Sequence, residues 1–201
     1  HGDYTSTNFI GTVWSGCTQC VAIERDKQEA RDKALAEVKE RERSERNWRL
    51  RIGSAAIPER FQDRTLDTYI AKNPGQEKAL AFSKDYAAQF DEIRKVGRCA
   101  IFVGKPGTGK THLAVGIALH IMKQNRSVLF TTVQRAIRSV KDTWAKGSEV
   151  SESQAIQTLA YADLLILDEV GVQFGSDFEK QILFDVLNER YEKRKPCILL
   201  S

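Results

Sequence analysis

The sequence predicts an α/β fold built on a parallel sheet. Two observations carry this. From residue 98 onward, short apolar runs bounded by turn residues alternate with amphipathic helical stretches. These runs are apolar throughout, as strands covered on both faces of a parallel sheet must be. Residues 104–111 read GKPGTGKT, a full G-x-x-x-x-G-K-T motif between a predicted strand and a predicted helix.

The 201 residues suffice for one α/β domain and a small appendage. Basic residues number 31 against 27 acidic ones, a net charge of +4. With both signs interspersed, charge alone neither demands nor excludes nucleic acid. No apolar stretch approaches the roughly 18 residues of a membrane span, and no leader-like segment opens the chain. A soluble cytoplasmic protein with no membrane partner is expected. The chain begins at His1 and ends within the apolar run ILLS, so both ends read as cut from something longer.

Three segments are expected in order. Residues 1–20 are polar and turn-rich, a small head carrying Cys17 and Cys20. Residues 21–53 form a charged linker helix, with Glu-to-basic pairs four apart at Glu29–Lys33, Glu37–Arg41, Glu42–Arg46 and Glu45–Arg49. Its apolar positions (Ala30, Ala34, Leu35, Val38) are too sparse for a heptad seam. It is either a solvated connector or a docking helix. Residues 54–201 form the core. Gly53, Ser54 and Pro58 break the linker, Pro74–Gly75 marks a turn, and QEKALAFSKDYAAQFDEIRK reads as one helix. Strands follow at CAIFV, SVLFTT, LLILDE and CILLS. Cys99 and Cys197, each at the edge of a hydrophobic run, read as buried thiols rather than disulfide partners.

The motif residues Gly104, Lys105, Pro106, Gly107, Thr108, Gly109, Lys110 and Thr111 have a defined chemistry. Glycines let backbone N–H groups wrap a phosphate, and the following helix N-terminus adds a favourable dipole. Lys110 is expected to reach the β- and γ-phosphates, and Thr111 to place its hydroxyl on Mg²⁺. The second half of the site is the strand Leu164–Leu167 ending in Asp168 and Glu169. Asp168 would bind Mg²⁺ through water. Glu169 would act as general base toward the attacking water, a residue that hydrolytic ATPases need and nucleotide kinases rarely do. Both halves imply ATP and ADP as ligands.

The stretches GKPGTGKTHLAVGIA, SVLFTTV, KDTW, ADLLILDEVGVQ and CILLS together resemble the AAA+ ATPases of the DnaC/IstB group, over about residues 54–201. The likeness is greatest to DnaC-type replicative helicase loaders, phage and prophage versions included. It implies a five-stranded parallel sheet in AAA+ order, with sensor 1, the arginine finger and the lid following Ser201. Hydrolysis would then be weak in this chain and would need a neighbouring subunit. His112, directly after the P-loop Thr, belongs to the resembling motif. Ile57-Pro58-Glu59-Arg60-Phe61 matches an I-P-x-R-F element that lies near the adenine in such loaders, and Phe61 is either an adenine contact or an ordinary core side chain. Between the second and third strands the family holds a helix that contacts single-stranded DNA. Here Arg135, Arg138 and Lys141 fall near one helical face beside Trp144. They read as a basic groove with an aromatic platform, or as a solvated face with Trp144 in the core.

The C-x-x-C of Cys17 and Cys20 admits a redox pair or half of a zinc site. Redox would want the pair to open a helix within a βαβ unit. Its surroundings, HG-x-Y followed by W-S-G-C-x-x-C, resemble the zinc-binding head of phage DnaC-like proteins. That implies Cys17 and Cys20 as Zn²⁺ ligands, with His1 a candidate third. The resemblance implies an ATP-dependent loader that grips a DnaB-type helicase, meets single-stranded DNA and self-associates through the AAA+ module. The alternatives are an IstB-like transposition helper ATPase, and a nucleotide switch that never turns over.

Overall fold

The computed structural model describes residues 3, 5–6, 17–171 and 176–201. The chain divides into two compact units, residues 1–50 and 51–201. In the first, helix α1 (Thr18–Ser54) begins three residues earlier than the linker was expected to, so Cys20 lies in its first turn. Its surface is charged, and Val21, Leu35 and Val38 are exposed. The four Glu-to-basic pairs read from the sequence are replaced by pairs in the opposite order, Arg25–Glu29 at 3.5 Å and Arg41–Glu45 at 3.3 Å. Such solvated pairs contribute only about 0.3–0.5 kcal/mol each, so the exposed side chains choose freely among partners.

The second unit is an α/β layer structure. Strands β1 (Ala100–Phe102), β2 (Val128–Thr132), β3 (Leu164–Asp168) and β4 (Cys197–Leu200) are all parallel, in the order β1-β4-β3-β2. These are the four runs named from the sequence, against the five strands that the resemblance implies. Leu164, Leu165, Ile166 and Leu167 are fully buried, and each is worth about 1.5–3 kcal/mol of burial. Leu165 and Leu167 meet a cluster formed by α5 (Val133–Lys141), α6 (Glu152–Tyr161) and α7 (Asp177–Glu192). Alternation along the strand turns Leu164 and Ile166 to the other face, where α4 (Lys110–Lys123) packs. At the β1 edge Ile101 and Val103 are exposed, so full coverage holds for the central strands and not for this one.

Two local expectations are corrected. Pro74 is not in a turn before a helix; it is the first residue of α2 (Pro74–Ala88). A proline there forfeits no intrahelical bond, and the Asn73 side chain accepts the Gln76 N–H as a cap. The single helix expected over 76–95 is two, because Gln89 leaves helical geometry between α2 and α3 (Phe90–Val96). Tyr86, Ala87, Phe90 and Ile93 are all buried across the break.

Gly116 explains how the 65–70 segment lies on α4. A Cβ there would stand 2.9 Å from the Leu66 backbone nitrogen, so the contact requires glycine. On the far edge, Phe130 of β2 donates its N–H to Ala55 at 2.8 Å, which covers part of that open strand. Among the described residues no helix is long and apolar enough to cross a membrane.

Candidate nucleotide site

β1 delivers the chain to Gly104, and α4 starts at Lys110 with Gly109 as its cap residue. The intervening loop therefore lies at the N-terminal end of α4, where unpaired helix N–H groups and the dipole favour an anion. Gly109 holds φ at +91°, and a Cβ on it would reach 2.6 Å from the Tyr69 ring. Conformation and space both require glycine there.

A cavity of about 760 Å³ opens over this loop. Gly104, Pro106, Gly107, Gly109, Lys110, Thr111 and His112 line it, with Asp168 and Glu169 opposite and Phe61 at the side. Lys105 and Thr108 are not in the lining and tie the loop together. The Thr108 hydroxyl donates to the Lys105 carbonyl at 2.9 Å. The Lys110 ammonium donates to the carbonyls of Gly104 at 2.6 Å and Lys105 at 3.1 Å. Thr111 Oγ1 donates to Asp168 Oδ2 at 2.9 Å, which joins residues 57 apart in the chain. Two hard oxygens brought together beside a phosphate loop are a donor set that suits Mg²⁺.

Asp168 Oδ1 accepts the N–H of Glu169 at 2.8 Å. Glu169 sits at φ +63°, a left-handed conformation that costs a non-glycine residue about 1–3 kcal/mol. The Val170 N–H donates to Leu200 O at 2.8 Å, so the turn is held from β4. Strain kept in place next to a carboxylate that lines the cavity is the kind of outlier that accompanies function.

Several residues at this site carried no signal as a pattern in the sequence. The Tyr69 hydroxyl donates to Thr108 O at 2.9 Å, and Gln76 Nε2 donates to the same carbonyl at 3.2 Å. Burial raises the Tyr69 phenol above its usual range, so it stays a donor. His112 Nε2 lies 2.9 Å from Thr65 O and 3.3 Å from Thr68 Oγ1, and its ring meets Tyr69 edge-on at 5.1 Å. Its ring thus ties α4 to the 65–69 segment. Arg60 and Arg64 also reach the cavity, and the Arg60 guanidinium lies 4.7 Å from the Phe61 ring centroid.

The residues read as DNA contacts separate into two groups. Arg135 and Arg138 are exposed on α5 and have no ion-pair partner among the described residues. Lys141 instead pairs with Glu179 of α7 at 2.6 Å. Trp144 donates to Glu152 at 2.8 Å and packs edge-on against Phe178, 4.8 Å between centroids, while remaining half exposed.

The remaining cysteines also divide. Cys197 is buried as expected, but Cys99 is exposed, because β1 is an edge strand and the residue precedes its first ladder pair. Cys17 and Cys20 do open a helix, as the redox reading asked, though among the described residues no βαβ unit surrounds them. His1 lies outside the described residues, and among those described no group of three metal-ligating side chains occurs.

A family profile described as IstB-like ATP binding protein matches residues 19–201. The replicative helicase loader DnaC of Escherichia coli (strain K12) is 34% identical over 164 residues, 81% of this chain and 64% of that protein. DnaC of Buchnera aphidicola subsp. Acyrthosiphon pisum (strain APS) is 34% identical over 150 residues, 75% of this chain and 60% of that one. The chain thus spans 60–64% of the length of these relatives. Among solved structures, the crystal structure of the DnaC helicase loader matches with TM-score 0.64 and 28% identity, over 72% of this chain and 79% of that one. AMPPCP-bound DnaA from Aquifex aeolicus matches in fold, with TM-score 0.60 at 22% identity over 73% and 43% of the two chains. By its profile match, its parallel AAA+ sheet and its P-loop geometry, this chain belongs to the IstB-like ATP-binding family.

Proposed function

We propose that this chain binds ATP with Mg²⁺ in the cavity over β1 and β3, hydrolyses it, and serves as an ATP-dependent loader of a replicative helicase. The observation that carries the nucleotide reading is the Thr111–Asp168 hydrogen bond at 2.9 Å, with Lys110 and Glu169 in the same cavity. Mg²⁺ held between Thr111 and Asp168 would supply the charge that neutralises the β- and γ-phosphate oxygens. The loop N–H groups and the α4 N-terminus cradle the phosphates, and Lys110 places its ammonium on the β- and γ-oxygens. Glu169, exposed at the cavity wall, accepts the proton of the attacking water. Phe61, with Arg60 stacked on it, offers the adenine an apolar face.

The loader reading is supported by relatives named replicative helicase loader, which this chain matches over 75–81% of its own length. The family name alone would equally suit a transposition helper. A hexameric helicase, copies of the chain itself and a cytoplasmic setting follow from the loader reading. Glu169→Gln is expected to bind ATP normally, to fall at least 100-fold in turnover, and to copurify with a hexameric helicase. Normal turnover would sink the base assignment, and copurification with a transposase would transfer the chain to the other reading.

Single-stranded DNA contact is placed on Arg135 and Arg138, whose charges no carboxylate satisfies among the described residues. Reversing both to Glu should weaken single-strand binding and reduce its salt dependence by about 1–2 counterions; an unchanged salt slope would remove them from the interface. Zinc remains the reading for Cys17 and Cys20, supported by their spacing, with Cys20 exposed and Cys17 half-buried. Metal analysis of protein extended upstream of His1 should find stoichiometric zinc, and a metal-free extended protein would end that reading.

A further inference from the structure

Cys99 and Cys197 stand at the N-terminal end of the sheet, opposite the nucleotide cavity. The register pairs Ala100 with Ile198, so the two cysteines lie side by side one step before the ladder begins. The Cys197 N–H donates to Cys99 Sγ at 3.4 Å. Behind them is Arg190, 0% exposed, whose Nε donates to Cys197 Sγ at 3.1 Å. Among the described residues no carboxylate lies within ion-pair distance of that guanidinium. Cys99 is an exposed residue, and Cys197 is buried at 2% exposure.

We propose that Cys99 and Cys197 form an oxidisable thiol pair, with the exposed residue Cys99 supplying the sulfur that attacks hydroperoxides and soft electrophiles and Cys197 the sulfur that resolves it. The three features that activate a thiol converge here: access, a hydrogen-bond donor and nearby positive charge. The Cys197 thiol hydrogen bond, above all, holds the Cys99 pKa down to about 6; burial opposes it, and the Cys197 N–H and Arg190 add to it. The same bond and deeper burial push Cys197 up, so it remains protonated. Among the described residues Tyr86 also faces the pair; its hydroxyl is tied to Arg98 O at 2.8 Å and burial pushes its pKa up.

The chemistry balances without a further reactant. The Cys99 thiolate attacks the hydroperoxide, forming S–O and breaking O–O. Hydroxide or alkoxide leaves, the peroxide is reduced by two electrons and the sulfur becomes a sulfenic acid. The Cys197 sulfur then attacks Cys99, forming S–S and breaking S–O, and its proton leaves with the hydroxyl as water. Neighbouring strands lie about 4.8 Å apart, within the roughly 4.4–6.8 Å Cα range a disulfide spans, so the strands need not repack.

The test follows each cysteine peptide of the whole chain by mass spectrometry, so Cys17 and Cys20 are read separately. Iodoacetamide should alkylate Cys99 with a pH midpoint near 6. At pH 6 it should react about tenfold faster than in the denatured chain, the gain in thiolate exceeding the loss in intrinsic nucleophilicity. Hydrogen peroxide should yield a Cys99–Cys197 cross-linked peptide that dithiothreitol reverses. Cys197→Ser should stop at a dimedone-trapped sulfenic acid. An alkylation midpoint above about pH 8 would overturn the proposal. So would wild-type Cys99 that stays reduced, or passes to sulfinic acid without the cross-link.

Discussion

Replacing Lys110 with Ala is expected to weaken ATP binding by about two orders of magnitude or more. The ammonium donates to two carbonyls of the loop, which places its charge where the β- and γ-phosphates would lie. Each charge-assisted hydrogen bond to a phosphate contributes about 1.5–3 kcal/mol, so losing two costs roughly 3–6 kcal/mol. The loop's other ties are independent of the lysine. Thr108 still bonds Lys105, and Tyr69 and Gln76 still hold Thr108. The variant should therefore keep its thermal midpoint and lose only its ligand. Calorimetric titration with ATP and Mg²⁺ measures the loss, and a change of less than about fivefold would mean that the phosphates lie elsewhere.

Replacing Arg190 with Met is expected to remove about 3–5 kcal/mol of stability, the largest effect foreseen for a single side chain outside the cavity. The guanidinium donates to the carbonyls of Leu159, Ala160 and Ala162 at 3.0–3.1 Å and to Pro196 O at 2.6 Å. Three of these acceptors lie at the C-terminal end of α6, where helix carbonyls lack intrahelical partners. Methionine fills much of the volume and satisfies none of them; a carbonyl left dry costs about 1–3 kcal/mol, so two that relaxation leaves unpaired account for the loss. A domain of this size has only about 5–15 kcal/mol in hand, so the thermal midpoint should fall by roughly 10 °C. Arg190→Lys should recover only part, because an ammonium cannot span the same fork. Denaturant unfolding that shows less than about 1 kcal/mol for the Met variant would mean that water or backbone shifts satisfy those carbonyls.

The strands and the two halves of the site were legible in the sequence because their chemistry is local. A phosphate loop needs glycines at set positions, and an apolar strand ending in Asp168 and Glu169 is a contiguous pattern. The parts that were not legible depend on the folded arrangement. Tyr69 holds Thr108 from 39 residues away and Gln76 from 32, and neither spacing forms a motif. Cys99 opens an apolar run like Cys197, but β1 is an edge and β4 is central, and sequence periodicity does not distinguish them. The break at Gln89 is invisible to periodicity, because Tyr86 and Phe90, four apart, keep the spacing of one continuous helical face. Pro74 is the exception. Asn73-Pro74 followed by Gln76 is a helix-start signal that was there to be read.

The strand order works as a gauge block for the cavity over the loop. β1, which carries the phosphate loop, and β3, which carries Asp168, are not neighbours, because β4 lies between them. Two interstrand steps of about 4.8 Å hold their backbones some 9–10 Å apart, a gap into which Thr111 and Asp168 reach from opposite sides. Adjacent strands would leave half that width, too little for a phosphate chain and its cation. β4 also grips both walls: Ser201 accepts the Gly104 N–H and Leu200 accepts that of Val170. The separation of the two walls is thus set by the backbone ladder of β4, which pairs Ile198 with Ala100 on one side and with Ile166 on the other, and does not depend on side-chain bulk.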